Sequence, residues 1–214
     1  MIRPLISVVG PLLLSGAILG AEGPAKVLFE TNFDNAPIGK LPEGFLVLEG
    51  DFTVQEFEGK KVCELPGEPL DSFGLLFGPS TGAGACVAAR IYGLSKGRRY
   101  PAFGVGLNGV GGYKLKVSPG KGALEIYKGD ALLASVPFDW KSGSWTAMRL
   151  ETRAEGGQSW KILGKAWPQS APEPKDWMVW AEDKAPPGNG RASLWASPYS
   201  GKPIRFTDLL LTGP

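Results

Sequence analysis

Along most of this chain hydrophobic and polar residues alternate with a period of two, in short runs parted by turn residues. In the run 103–107, Phe103, Val105 and Leu107 alternate with Gly104 and Gly106, and in 113–117, Tyr113, Leu115 and Val117 oppose Lys114 and Lys116. Leu124 and Ile126 likewise oppose Glu125 and Tyr127, and Val87, Ala89 and Ile91 oppose Arg90 and Tyr92. Met148 and Leu150 oppose Arg149, Glu151 and Arg153. Trp160 and Ile162 oppose Lys161, Lys165 and Trp167, with Leu163 breaking the rhythm. Successive side chains of a strand point to opposite sides, so each run predicts a strand with one buried face. The full set of predicted strands is 27–32, 45–49, 52–56, 61–65, 72–77, 85–92, 103–107, 113–117, 124–128, 131–137, 146–153, 160–167, 178–180, 191–196 and 204–211. Gly129-Asp130 reads as a hairpin turn, Gly109 with Gly111-Gly112 as another, and 154–158 as a third. Only 175–183 is ambiguous, between a helical turn and a short strand. So many short strands must fold back on themselves, and the predicted class is all-β, a two-sheet antiparallel β-sandwich.

Composition narrows this reading. The 31 Gly and 19 Pro of 214 residues follow no collagen-like period and serve as turn residues, while 43% hydrophobic content is too high for a disordered chain. A net charge of +2 builds no field that would draw in nucleic acid. The chain has no histidine, which removes His-dependent triads, HExxH zinc sites and imidazole acid/base chemistry.

Arg3, the apolar run from Leu5 to Leu19 and the small residues Gly20-Ala21 before Glu22 make 1–21 a predicted signal peptide. Gly10, Pro11 and Gly16 break that run, and no basic stop-transfer flank follows it, which argues against a membrane anchor. The expected product is a single domain over 22–214, secreted or periplasmic, with no membrane span, and losing Arg3 would lower its net charge to +1. Cys63 and Cys86 could close one disulfide outside the cytoplasm, but strand parity sets them on different sides of a sheet.

If the polar faces share a sheet, one surface gathers Arg90, Tyr92, Glu125, Tyr127, Arg149, Glu151 and Trp167. Flat aromatic faces suit the apolar side of a pyranose, and charged groups bond to its hydroxyls. This makes Trp167, Tyr127, Arg90, Tyr92 and Arg149 candidate carbohydrate contacts over a bare floor at Gly104 and Gly106. Trp140, Trp145, Trp177, Trp180 and Trp195 are read as packing or loop residues. Glycoside hydrolysis would need two carboxylates roughly 5 to 10 Å apart, and Glu125 with Glu151 is the candidate pair, although salt bridges from Arg149 or Arg153 explain Glu151 more simply. Asp34 and Asp208, with Asn32 and Asn35, are a candidate set for structural calcium if the first and last strands adjoin. Alternatively, Thr207-Asp208 is a bulge that brings Phe206, Leu209 and Leu211 to one face.

Longer motifs add a resemblance. Trp145-Thr-Ala-Met-Arg-Leu-Glu151, Gly164-Lys-Ala-Trp167-Pro168, Pro172-Glu-Pro-Lys-Asp-Trp177 and Arg205-Phe-Thr-Asp-Leu-Leu-Leu211 resemble the concanavalin A-like lectin/glucanase (laminin-G-like) jelly rolls of exported bacterial proteins. The opening Phe29-Glu-Thr-Asn-Phe33-Asp-Asn-Ala-Pro-Ile-Gly39 is similar to their first strand and loop. That fold hosts lectins, glycosidases, lyases and spacers. The E-[ILV]-D-x-x-E strand of its glucanases is missing at Glu49-Gly50-Asp51, and the Gln-x-His strand of its alginate lyases is impossible here. The F-N-G opening of its 3-keto-glycoside hydrolases is absent too. The resemblance implies a carbohydrate-binding module with a polysaccharide or glycan as partner. A sugar-active hydrolase and an adhesion domain contacting another exported protein are the alternatives.

Overall fold

The computed structural model describes residues 25–155 and 159–214; the predicted signal peptide and the last three residues of the predicted 154–158 turn lie outside them. Fifteen strands follow in chain order: β1 Lys26–Thr31, β2 Phe45–Glu49, β3 Thr53–Phe57, β4 Lys60–Leu65, β5 Phe73–Thr81, β6 Cys86–Tyr92, β7 Ala102–Leu107 and β8 Tyr113–Ser118, then β9 Ala123–Lys128, β10 Ala131–Pro137, β11 Trp145–Ala154, β12 Trp160–Pro168, β13 Val179–Asp183, β14 Gly190–Ser197 and β15 Ile204–Gly213. Every predicted strand is present. The ambiguous 175–183 stretch resolves as β13, with Val179 and Ala181 buried and Trp180 exposed between them.

The strands build two antiparallel sheets. One holds eight strands in the order β13-β12-β11-β6-β15-β4-β3, with β1 also pairing β15; the other runs β10-β9-β8-β7-β14-β5-β2. Their inner faces meet as a jelly-roll sandwich. Val87, Ile91, Met148, Leu150, Ile162 and Phe206 come from the first sheet, Leu75, Phe77, Val105, Leu115, Ile126 and Leu194 from the second, and all are fully buried. Each such side chain contributes about 1.5–3 kcal/mol on burial. Gly164 on β12 lets the sheets close, because a Cβ there would come within 2.5 Å of Leu115.

Two further features belong to this packing. The bulge at Thr207-Asp208 is real: the β15 register shifts between Thr207 and Leu210, Asp208 has φ 50°, and Phe206, Leu209 and Leu211 all point inward. At the rim, Asp183 of the eight-stranded sheet accepts bonds from Tyr113 Oη at 2.7 Å and Lys128 Nζ at 2.5 Å, both of the other sheet.

One condition set by the sequence pattern fails. Arg90 and Tyr92 (β6), Arg149 and Glu151 (β11) and Trp167 (β12) lie on the eight-stranded sheet, whereas Glu125 and Tyr127 (β9) lie on the seven-stranded one. The candidates therefore split between two outer faces that look away from each other. Parity separates inside from outside but carries no information on which sheet a strand joins. The two cysteines are free thiols. Cys63 packs in the core and Cys86 sits on the outer side of the same sheet, with β15 between their strands, so no bridge forms.

Candidate functional site

The outer face of the eight-stranded sheet is closed by its own chemistry. Arg149 Nε donates to Cys86 Sγ at 3.1 Å, and its Nη1 lies 3.2 Å from Glu173. Lys165 bonds to Glu173 at 2.7 Å and to the Pro174 carbonyl at 2.8 Å, beneath the Trp177 ring at 4.7 Å. The segment 169–178 thus folds back over Arg149 and Lys165, with Trp167 half-buried beside them. Arg153 holds Glu151 through Nε and Nη2 at 2.8 and 2.6 Å, and Arg205 pairs with Glu64 at 2.7 Å while stacking on Phe57. Tyr92 is buried between Phe57 and Trp145. Arg90 pairs with Asp208 at 2.7 Å.

A groove of about 270 Å³ opens instead on the outer face of the seven-stranded sheet. Its floor is set by register. Trp195 on β14 stands opposite Gly104 on one side and Gly74 on the other, and its indole reaches from the Gly74 position to that of Gly106 over bare backbone. A Cβ on Gly74 would come within 2.8 Å of that ring, and one on Gly104 within 2.2 Å of the Leu115 carbonyl. Trp195 Nε1 donates to Ser193 Oγ at 2.8 Å, which fixes the ring plane. Lys114 and Lys116 of β8 and Tyr127 of β9 form one wall, and Asp130 in the β9–β10 turn stands at the mouth. At the other end Ser72 bonds to Ser197 at 2.8 Å and to Tyr199 Oη at 3.1 Å.

The Lys114 ammonium rests 4.0 Å from the centre of the Trp195 ring, and that of Lys116 6.0 Å from the Tyr127 ring. Such contacts are worth about 0.5–1 kcal/mol at exposed sites and about 2 kcal/mol when desolvated, which a ligand that displaces an ammonium on its flexible stem must offset. Burial lowers the Lys114 pKa below the usual lysine value; Lys116 adds to this and Asp130 opposes it.

Glu125, at the edge of this face, is fully occupied. It accepts Ser118 Oγ at 2.5 Å, Lys121 Nζ at 2.9 Å and Tyr127 Oη at 3.0 Å. Burial would raise its carboxyl, but these three donors outweigh that and hold it below the ordinary glutamate range. Stacked sheets lie about 10 Å apart, and Glu125 and Glu151 point outward from different ones, so they cannot flank one glycosidic bond. The expected catalytic pair is corrected to two separate ion-pair sites.

The calcium candidates adjoin through the β1–β15 pairing. Asn32, Asn35 and Asp208 line a cleft of about 660 Å³, while Asp34 Oδ2 accepts from Asn32 Nδ2 at 2.7 Å. The Arg90 guanidinium already supplies positive charge to Asp208. Among the described residues no group of three or more His, Cys, Asp or Glu is placed to hold a metal ion.

Several solved structures share this architecture. A carbohydrate-binding module, CBM66, from Bacillus subtilis superposes with a TM-score of 0.56 at 13% identity, covering 79% of this chain and 96% of the module. A PL-14 alginate lyase from Aplysia kurodai gives 0.57 at 10% identity, covering 89% of this chain and 100% of the lyase. The carbohydrate recognition domain of Emp46p, in a metal-free form, gives 0.57 at 12%, covering 86% and 94%. The likeness is one of fold. No protein-family profile and no curated protein matches the sequence.

Of the residues expected to meet sugar, Tyr127 lies in the groove, above the predicted bare floor at Gly104; Trp167, Arg90, Tyr92 and Arg149 lie on the opposite side of the sandwich. Sequence reasoning missed Trp195. The signal available was its place between Ser193 and Ser197 in an alternating run, which marks an outward aromatic among small neighbours.

Proposed function

We propose that this protein binds carbohydrate, using the groove around Trp195 and Tyr127 on the outer face of its seven-stranded sheet. One observation carries the reading: an indole set over glycine backbone on an outer sheet face, flanked by ammonium and hydroxyl groups. A flat apolar platform with a few convergent polar groups is what a pyranose ring requires. The fold neighbours named as a carbohydrate-binding module and a carbohydrate recognition domain support the same class of ligand. The Arg3–Ala21 leader supports export, and so a glycan met outside the cytoplasm. The longer motifs support placement among the concanavalin A-like jelly rolls.

Purified protein lacking 1–21, screened on a broad glycan array and then titrated by calorimetry, tests the reading. Wild type should retain at least one polysaccharide. Trp195→Ala should weaken binding about 30-fold, the scale of a central aromatic anchor. Absence of binding to every glycan, or unchanged affinity in Trp195→Ala, would overturn it.

A further inference from the structure

Four lysines elsewhere in the sandwich are neutralised at close range, while Lys26 and Lys60 on the eight-stranded sheet stand in solvent and Lys61 donates to the Ala36 carbonyl. Lys121 meets Glu125 at 2.9 Å, Lys128 meets Asp183 at 2.5 Å, Lys161 meets Glu155 at 2.7 Å and Lys165 meets Glu173 at 2.7 Å. The groove departs from this pattern. Lys116 stands opposite Glu125 in register, yet that carboxylate is turned to Ser118, Lys121 and Tyr127. Among the described residues Lys116 makes no ion pair. Lys114 has only Asp130, at 3.9 Å, and the Asp130 side chain is fully exposed while that of Lys114 is 18% exposed.

Two ammonium groups one strand-alternation apart thus face a shared groove with almost no counter-charge of their own. Removing an ammonium from water without a close anion is costly, and an incoming anion offsets that cost. Cation–π contact with Trp195 and Tyr127 holds the two groups in place without consuming their capacity to donate. A ligand that lifts them from the rings must offer something better than a neutral hydroxyl. Charge-assisted hydrogen bonds are roughly twice as strong as neutral ones.

Resting on the reading of this groove as a glycan site, we propose that its ligand is an acidic glycan whose carboxylate or sulfate groups are met by Lys114 and Lys116. A repeating anionic substituent on the polymer would engage the pair together. With a whole-chain net charge of only +2, general attraction to polyanions is weak, so a preference must come from this local pair.

The test compares polygalacturonate with its carboxyl-reduced form, and dextran sulfate with dextran, by calorimetry of the protein lacking 1–21 in low and high salt. At least one acidic polymer should bind about tenfold or more tightly than its neutral parent, with affinity falling as salt rises. Binding by polygalacturonate alone assigns the carboxylate, and by dextran sulfate alone the sulfate. Lys116→Met should cost about tenfold on the acidic polymer and so narrow its advantage over the neutral parent. Lys40→Met, at an exposed position away from the groove, controls for general charge and should leave both affinities unchanged. Equal, salt-insensitive affinity for acidic and neutral glycans would overturn the proposal and leave glycan binding standing. Equal losses in Lys40→Met and Lys116→Met would overturn it as well. Absence of binding to any glycan removes both.

Discussion

The two outer faces of this sandwich have similar ingredients and opposite states. On the eight-stranded side the basic groups Arg90, Arg149, Arg153, Lys165 and Arg205 each meet a carboxylate, and the segment carrying Glu173 and Trp177 folds over them. On the seven-stranded side glycines replace side chains, an indole lies half-buried over them, and Lys114 and Lys116 lean on aromatic rings. A polar, aromatic-rich strand face is therefore no sign of a binding site by itself. What separates the two faces is whether their cations already meet carboxylates at close range.

Five substitutions sharpen this contrast. Gly104→Ala should have the largest effect, about 3 kcal/mol of lost stability, because its methyl would meet the Leu115 carbonyl and neither strand can retreat within the ladder. Thermal unfolding checks it, and a Tm unchanged within a degree would mean that the floor is not set by close backbone approach. Trp195→Ala should cost about 2 kcal/mol in glycan affinity, while Trp167→Ala on the paired face costs none. Equal losses in calorimetry would erase the distinction between the faces.

At the rim where the faces meet, Asp183 supplies a pH signature. Burial would raise its carboxyl, but the bonds from Lys128, the Ala185 amide and Tyr113 outweigh it and set its pKa at about 2. A depressed folded-state pKa stabilises the fold above about pH 4, and that contribution is lost as the pH falls toward 2. With Lys128 partly exposed, about 1–2 kcal/mol is expected. Denaturant titrations at pH 5 and pH 2.5 should show this difference shrinking in Asp183→Asn. The smallest effect should follow Arg153→Ala, at most about 1 kcal/mol of stability and no change in glycan affinity, since it breaks only a partly exposed pair with Glu151.

Local features of the fold were legible in the sequence and long-range ones were not. The alternation of Phe103, Val105 and Leu107 with Gly104 and Gly106 reported both the strand and its inner face, because burial acts residue by residue. The Thr207-Asp208 bulge was legible for the same reason, since Phe206, Leu209 and Leu211 cannot otherwise share a face. Sheet membership left no such trace. β6 and β7 are consecutive in the chain, yet the connection between them passes from one sheet to the other, and nothing in residues 93–101 encodes that crossing. Arg149 and Tyr127 consequently looked like neighbours. The surroundings of Trp195 were hidden for a related reason, because Gly74 and Gly104 come from strands distant in sequence and become its neighbours only through pairing.

The ammonium perched 4.0 Å above the Trp195 indole has an optical consequence. A positive charge held beside an indole perturbs its excited state, so drawing Lys114 away should alter the emission of that chromophore. Comparing spectra of wild type and Trp195→Phe isolates its signal from the six other tryptophans of the chain. A change in that emission on adding glycan would then serve as a label-free gauge of groove occupancy, and an unchanged spectrum on saturation would place the ligand elsewhere.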